Sequence, residues 1–202
     1  MSAIDRFLPR KQKTYCMKNG YKCRPDPDFC NAFVIDERFQ WGVYENARKL
    51  ADEHNYHSIL DIGCGSGYKL CYFFPDKFTV GIDLPTTVSK LRQTYPNRFW
   101  FTAGFNAAPL SCDLVICADV IEHIPEPDSF LQFLKEISCK HIILSTPERE
   151  LLNENTSNGP PKNPCHVREW SHFEFHNYIS QWFAIDRHYI VDWQTQVIEI
   201  KR

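Results

Sequence analysis

Five short apolar runs, each separated from the next by a segment that suits a helix or a turn, constrain this chain more than any other feature. They are Ser58-Ile59-Leu60-Asp61-Ile62, residues 78–83, residues 98–102, residues 112–118, and 140–145 around Ile142-Ile143-Leu144. Continuous rather than alternating hydrophobicity marks strands covered on both faces, and strand–helix alternation makes such strands parallel. The stretches 68–74, 85–94 and 127–138 predict helices, with Pro85 suited to a first helical position. Upstream, Phe39, Val43, Ala47, Leu50 and Ala51 fall on one face of a helix predicted over 36–54. After Thr146 the rhythm changes. Residues 147–170, with Asn158-Gly159-Pro160-Pro161 and Asn163-Pro164, read as loop. Residues 171–182 read as a helix, and 183–191 and 195–201 as two antiparallel closing strands. The fold class is therefore α/β, a doubly wound, mostly parallel sheet with helices on both faces. Residues 1–35, basic and aromatic with little periodicity, form an N-terminal arm or lid before a single domain over 36–202.

Composition excludes several classes. A chain of 202 residues suits one domain with a sizeable core. Its 23 Lys+Arg against 25 Asp+Glu give a net charge of −2, so nothing global draws it to nucleic acid or an anionic membrane. A hydrophobic fraction of 43% argues against disorder. No run approaches the ~18 apolar residues of a membrane span, and Met1–Phe7 lacks the apolar stretch of a secretion signal. The expectation is a soluble, cytoplasmic protein. Nine cysteines, an odd number, speak against a disulfide framework. Cys16, Cys23 and Cys30 are spaced by seven but lack a CxxC knuckle and a nearby fourth ligand for zinc. Cys64, Cys71, Cys112, Cys117, Cys139 and Cys165 lie in or beside apolar runs, where a free thiol acts as a small hydrophobe.

The densest motif is Leu60-Asp61-Ile62-Gly63-Cys64-Gly65-Ser66-Gly67. Glycines between a strand and a helix let a ligand approach the backbone closely. Here an acid, Asp61, stands inside the strand, the third glycine follows the second after one residue, and a second acid, Asp83, ends the next strand. At that place Asp83 can accept from both hydroxyls of a ribose.

These residues resemble the class I S-adenosylmethionine-dependent methyltransferases, from about Asp36 to the C-terminus. The resemblance implies a Rossmann-like, seven-stranded sheet whose last strand is antiparallel. It implies that Gly63, Gly65 and Gly67 border the cofactor's amino acid part, with Asp61 and Cys64 also in the cofactor site, that Asp83 holds the ribose, and that Leu84 packs beside the adenine. Many relatives carry an acid after the third strand for the adenine amino group. This chain has Gly104-Phe105-Asn106 there, so Phe105 or Asn106 takes that place. Asp119 and Val120, after the fourth strand, complete the cofactor pocket.

A second constellation follows the fourth strand, Asp119-Val120-Ile121-Glu122-His123, and is joined by His166-Val167-Arg168-Glu169-Trp170 after the fifth. Ligands of open parallel sheets sit at these strand ends. The pair of strings looks like that of the small-RNA 3′-end 2′-O-methyltransferases, with Asp119 where glutamate is usual. The ubiquinone-type O-methyltransferases carry a similar first string. The former resemblance implies a divalent metal held by Asp119, Glu122, His123 and His166. Two carboxylates and two imidazoles suit Mg²⁺, Mn²⁺, Fe²⁺, Co²⁺ or Zn²⁺. Such an ion acidifies and aims a hydroxyl. The catalytic residues are then His123, Glu122 and His166, unless the first two merely shape the pocket or His123 is a base without metal.

For the acceptor, the loop 147–170 offers Arg149, Lys162 and Arg168 among Asn153, Asn155, Asn158 and Asn163, which suits a hydroxylated small molecule or glycan. Basic and aromatic residues of the arm keep RNA open as an alternative, with methylation at a 3′-terminal ribose. A cofactor-binding protein without turnover is the non-enzymatic alternative. Oligomeric state is not legible.

Overall fold

A computed structural model of the chain describes residues 14–28, 39–102, 111–152 and 158–202. Seven strands form one sheet in the order β3-β2-β1-β4-β5-β7-β6. They are β1 (Ser58–Ile62), β2 (Phe78–Ile82), β3 (Phe99–Phe101), β4 (Leu114–Cys117), β5 (His141–Pro147), β6 (Arg187–Val191) and β7 (Thr195–Lys201). The first five pair in parallel, and β7 runs antiparallel to both β5 and β6. This is the predicted doubly wound class I arrangement, including the antiparallel last strand.

The five runs became strands for the reason their composition suggested. Every residue of β4 is buried, as are all but the last of β5, because both faces are covered. One face packs Leu60, Ile62, Ile82, Val115, Cys117, Ile142 and Leu144 against Phe130, Leu131, Leu134, Phe175 and Ile179, which come from α4 (Pro127–Glu136) and α5 (His172–Ile179). The other packs Ile59, Leu114, Ile116 and Ile143 against Val43, Ala47, Leu70, Val88 and Leu91, from α1 (Trp41–Glu53), α2 (Tyr68–Phe73) and α3 (Pro85–Thr94).

The largest departures from the predicted element bounds fall at the starts of α1 and β6. Helix α1 starts at Trp41, after Gln40 in the left-handed region at φ 62°, and Phe39 is 45% exposed rather than on the apolar face. The helix start is held from a distance: the Gly42 N–H donates to both carboxylate oxygens of Asp192, at 3.0 and 2.9 Å, in the β6–β7 turn. Strand β6 begins at Arg187 instead of 183, since Phe183 turns into the core.

The described part of the arm packs rather than dangles. Met17 is buried in the core. The Lys22, Arg24 and Asp28 N–H groups donate to the carbonyls of Asn158, Val167 and Pro164, so residues 14–28 lie along the loop after β5. Among the described cysteines, Cys16 and Cys23 are free thiols, as are Cys64, Cys71, Cys112, Cys117 and Cys139. Cys165 departs from the all-reduced expectation and is disulfide-bonded. Cys30 lies outside the described residues. No described helix is long and apolar enough to cross a membrane.

Candidate active site

Two groups of predicted residues assemble where β1, β2, β4 and β5 end. The first is the glycine turn. Gly63, Gly65 and Gly67 all have left-handed backbones, at φ 74°, 54° and 69°, which a side chain would strain. The positions differ in what lies beside them. A Cβ on Gly63 would come within 2.4 Å of the Val120 Cγ2, and one on Gly67 within 2.7 Å of Trp100 and 2.8 Å of Leu91. Gly67 is thus demanded by packing as much as by any ligand. The Asp83 carboxylate reaches back to this turn, accepting from the Gly65 N–H at 2.8 Å and from the Leu84 N–H at 2.7 Å. Leu84 is 45% exposed beside it. Cys64 turns its buried thiol toward Gly81.

Asp61, under the turn, is fully buried. One oxygen accepts from the Tyr44 hydroxyl at 2.8 Å, and the other has no partner among the described residues. Burial pushes this carboxyl up to about 7, against the lowering effect of Tyr44. A buried acid with a free oxygen beside backbone glycines fits a ligand carrying an ammonium and a ribose. Phe105 and Asn106 lie outside the described residues.

The second group follows β4. Asp119 takes a left-handed backbone at φ 53°, uncommon for a residue other than glycine and found where a site requires it. Its N–H donates to the Ser145 carbonyl and hydroxyl, and the Ser145 hydroxyl donates to its Oδ1 at 2.7 Å. A short 3₁₀ turn over Ile121–His123 then presents two consecutive side chains to one place. Glu122 has one oxygen 3.0 Å from the Thr146 hydroxyl, which donates to it. The other, Oε1, is buried without a hydrogen-bond partner among the described residues. It lies 3.9 Å from His123 Nε2 and 4.0 Å from His166 Nε2. The two imidazoles meet edge to face, 4.8 Å between centroids.

Glu122, His123 and His166 are therefore brought together, each offering a donor atom within 4.8 Å of the others. Two donors on opposite sides of one ion, each ~2.1 Å from it, stand about 4.2 Å apart, so this set fits a divalent cation. Asp119 is held outside that set, because its left-handed backbone and Ser145 direct its carboxylate elsewhere. It still acts at a distance. Burial first, and then the Asp119 charge, push Glu122 up to about 8, while His166 opposes them. Burial raises Asp119 as well. Both acids would gain from a nearby cation.

The loop after β5 differs from its sequence reading. Arg149 and Arg168 are buried, not turned to an acceptor. Arg149 donates to the Glu169 carbonyl and pairs with Glu174, and Arg168 donates to the Ile124 and Pro125 carbonyls. Sequence reasoning also missed Tyr44 and Thr146, whose partners are distant in the chain, and read Asn163 as an acceptor-loop amide, whereas it bonds His166 and the Cys165 N–H. Glu169 stood in the quoted string with no role assigned.

Comparison with known proteins decides the family. A model described as "Methyltransferase domain" matches residues 4–192. The chain belongs to the methyltransferase-domain family. That bears out its recognition as a class I S-adenosylmethionine-dependent methyltransferase. No curated protein sequence matches this methyltransferase. Among solved structures, the small RNA methyltransferase HEN1 superposes with a TM-score of 0.64 at 18% identity, covering 88% of this chain. This chain spans only 27% of that protein's length. The magnesium protoporphyrin IX methyltransferase ChlM from Synechocystis, solved with bound SAH, gives 0.63 at 16%, covering 84% of this chain and 89% of its own. The methyltransferase domain of a bacterial Hen1, CtHen1, gives 0.65 at 17%, covering 82% and 98%. At these identities the likeness establishes the methyltransferase fold.

Proposed function

We propose that this methyltransferase uses S-adenosylmethionine to methylate a hydroxyl group on a small molecule or sugar, with a divalent metal held by Glu122, His123 and His166. The observation that carries the reading is the buried, unpartnered Glu122 Oε1, set between two imidazole Nε2 atoms at the end of β4. A buried carboxylate oxygen left without a donor costs free energy, and a cation removes that cost.

The cofactor supplies a sulfonium methyl group as electrophile. Asp83 accepts from the ribose hydroxyls while it stays anchored to the Gly65 N–H, and Asp61 takes the ammonium through its free oxygen. The metal, when bound, lowers the pKa of an acceptor hydroxyl. Glu122, His123 and His166 would fix where that hydroxyl stands. They follow β4, the neighbour of the strand that leads into the glycine turn, and β5 beside it, which supports the reading. His123 Nδ1 donates to the Cys165 carbonyl and its Nε2 faces the donor set, so with the metal bound the released proton passes to water, and His123 takes it only where it acts as a base without metal. Asp119 acts from the surroundings of the set by its charge.

A second reading, methylation of the 2′-hydroxyl of a 3′-terminal RNA ribose, is supported by the likeness to the small RNA methyltransferase. A vicinal diol suits the same donor set. The two readings separate by salt. Turnover of a small diol changes little between about 50 and 200 mM salt, whereas an RNA acceptor held through several phosphates loses orders of magnitude in affinity. Labelling of an RNA oligonucleotide that disappears after oxidation of its terminal diol selects the second reading. Full turnover in excess EDTA, by protein free of metal, refutes the metal.

A further inference from the structure

The hydrogen bonds around His166 determine which of its nitrogens faces the donor set. The Cys165 N–H donates to the Asn163 Oδ1 at 3.0 Å, which settles the orientation of that amide. The Asn163 Nδ2 is then a donor, and it lies 3.0 Å from His166 Nε2. His166 Nε2 must therefore carry a lone pair, and the proton sits on Nδ1. That nitrogen lies 2.6 Å from the Glu169 Oε1, which only accepts. The chain of donors runs one way, from Cys165 through Asn163 and His166 to Glu169.

We infer that Glu169 is a positioning residue, which holds His166 in the Nδ1–H tautomer and so keeps the lone pair on Nε2, where a metal beside Glu122 would displace the Asn163 amide that this lone pair accepts from. This rests on the metal reading above. The geometry is built for the task. Glu169 and His166 are both buried, so no bulk water competes for Nδ1–H. The Glu169 backbone is tied at both ends of its peptide. Its N–H donates to the Tyr21 hydroxyl at 3.0 Å, and its carbonyl accepts from Arg149 at 2.9 Å. Its second oxygen is buried with no partner among the described residues, so the His166 contact is the only side-chain hydrogen bond of Glu169 among them. His123 is oriented in the same sense by a weaker acceptor, the Cys165 carbonyl, 2.9 Å from its Nδ1. A carboxylate behind a ligating imidazole raises its basicity and fixes its ring, and loss of such a partner costs about tenfold to a hundredfold in metal affinity.

The test uses the full chain and Co²⁺ alone. Visible absorption of bound Co²⁺ reads affinity, and NMR of isotope-labelled histidine reads the His166 tautomer without metal. E169L is expected to lose about tenfold or more in Co²⁺ affinity and to turn the His166 signals from one tautomer into a mixture. E169Q, which still offers an oxygen to Nδ1–H, recovers most of both. S-adenosylmethionine affinity stays at its wild-type value, as it would not if the loop had collapsed. Equal Co²⁺ affinity in wild type and E169L overturns the inference. So does an Nε2–H tautomer of His166 in the wild-type chain, even where E169L fails to fold. A wild-type chain that binds no Co²⁺ removes the metal reading, and this inference with it, a result distinct from equal binding by both.

Discussion

Asp83 and Gly65 are joined by a 2.8 Å hydrogen bond from the glycine N–H to the carboxylate, across 18 positions of sequence. The acid that ends β2 is thereby docked on the turn that follows β1, before any ligand arrives. D83A is expected to weaken S-adenosylmethionine binding by about 1–3 kcal/mol, since in the proposed function the ribose hydroxyls lose their acceptor and the turn loses its anchor. Isothermal calorimetry reads this directly, and an unchanged dissociation constant removes Asp83 from the cofactor site.

Glu122 contributes the only carboxylate of the metal-fitting group among the described residues. E122Q keeps the shape and the acceptor for Thr146 but removes the charge. Turnover is expected to fall more than tenfold, while cofactor affinity holds, because in the proposed function the group serves the acceptor and not the cofactor. Parallel rate and calorimetric measurements decide it. A cofactor affinity that falls along with the rate would place Glu122 in the cofactor pocket instead.

Gly81 in β2 is closed over by Trp100 of β3. A Cβ there would stand 2.4 Å from the Trp100 Cζ3 and 2.8 Å from the Cys64 sulfur. Neither neighbour is the free end of a flexible chain, so G81A overpacks the sheet edge. The expected cost is about 1–3 kcal/mol, or roughly 2–12 °C in melting temperature for a chain of this size. G81A combined with W100A should recover part of the overpacking relative to the sum of the two single changes.

His188 in β6 provides a pH-dependent element of stability. It stacks on His172 at 3.6 Å between ring centroids and on His176 at 5.6 Å, both from α5, and its Nε2 meets Gln196 of β7. Burial first, and then the His172 charge, lower it to about 4, below the ~6.5 of an unfolded histidine. The folded state therefore disfavours the protonated ring. The resulting stability is whole above about pH 6.5 and is lost as pH falls toward 4. Asp61 and Glu122, raised rather than lowered, act in the opposite sense, so the variant isolates the effect. Between pH 7 and 5 the melting temperature of wild type should fall more than that of H188Q. Parallel slopes would show that His188 does not titrate with folding.

The succession of strands along the chain and both site strings were legible because each rested on a local signal, an apolar run or a short spacing of chemical groups. What stayed hidden was decided by partners far along the chain. Arg149 and Arg168 look like solvated loop cations until Glu174 and the carbonyls of Ile124 and Pro125 are seen to receive them. Phe39 fits the apolar stripe of α1, but the left-handed Gln40 stops the helix short of it. Asp119 shares its string with Glu122 and His123, and only its positive φ shows that its side chain is aimed at Ser145. The role of Glu169 depended on which way one amide was turned, a choice made by the Cys165 N–H.

Glu174 illustrates what such distant ties mean for engineering. Its carboxylate accepts from the Ser171 N–H as part of a capping box, pairs with Arg149 at 2.6 Å, and accepts from the Lys18 N–H at 2.7 Å. One side chain thus staples the start of α5, the loop after β5 and the arm. The loop is consequently not a cassette. A chimera that imports another relative's loop after β5 with a cut site inside residues 149–174 would strand a buried arginine or a buried glutamate. Grafts that retain activity should be those that carry Arg149, Glu174 and the arm together.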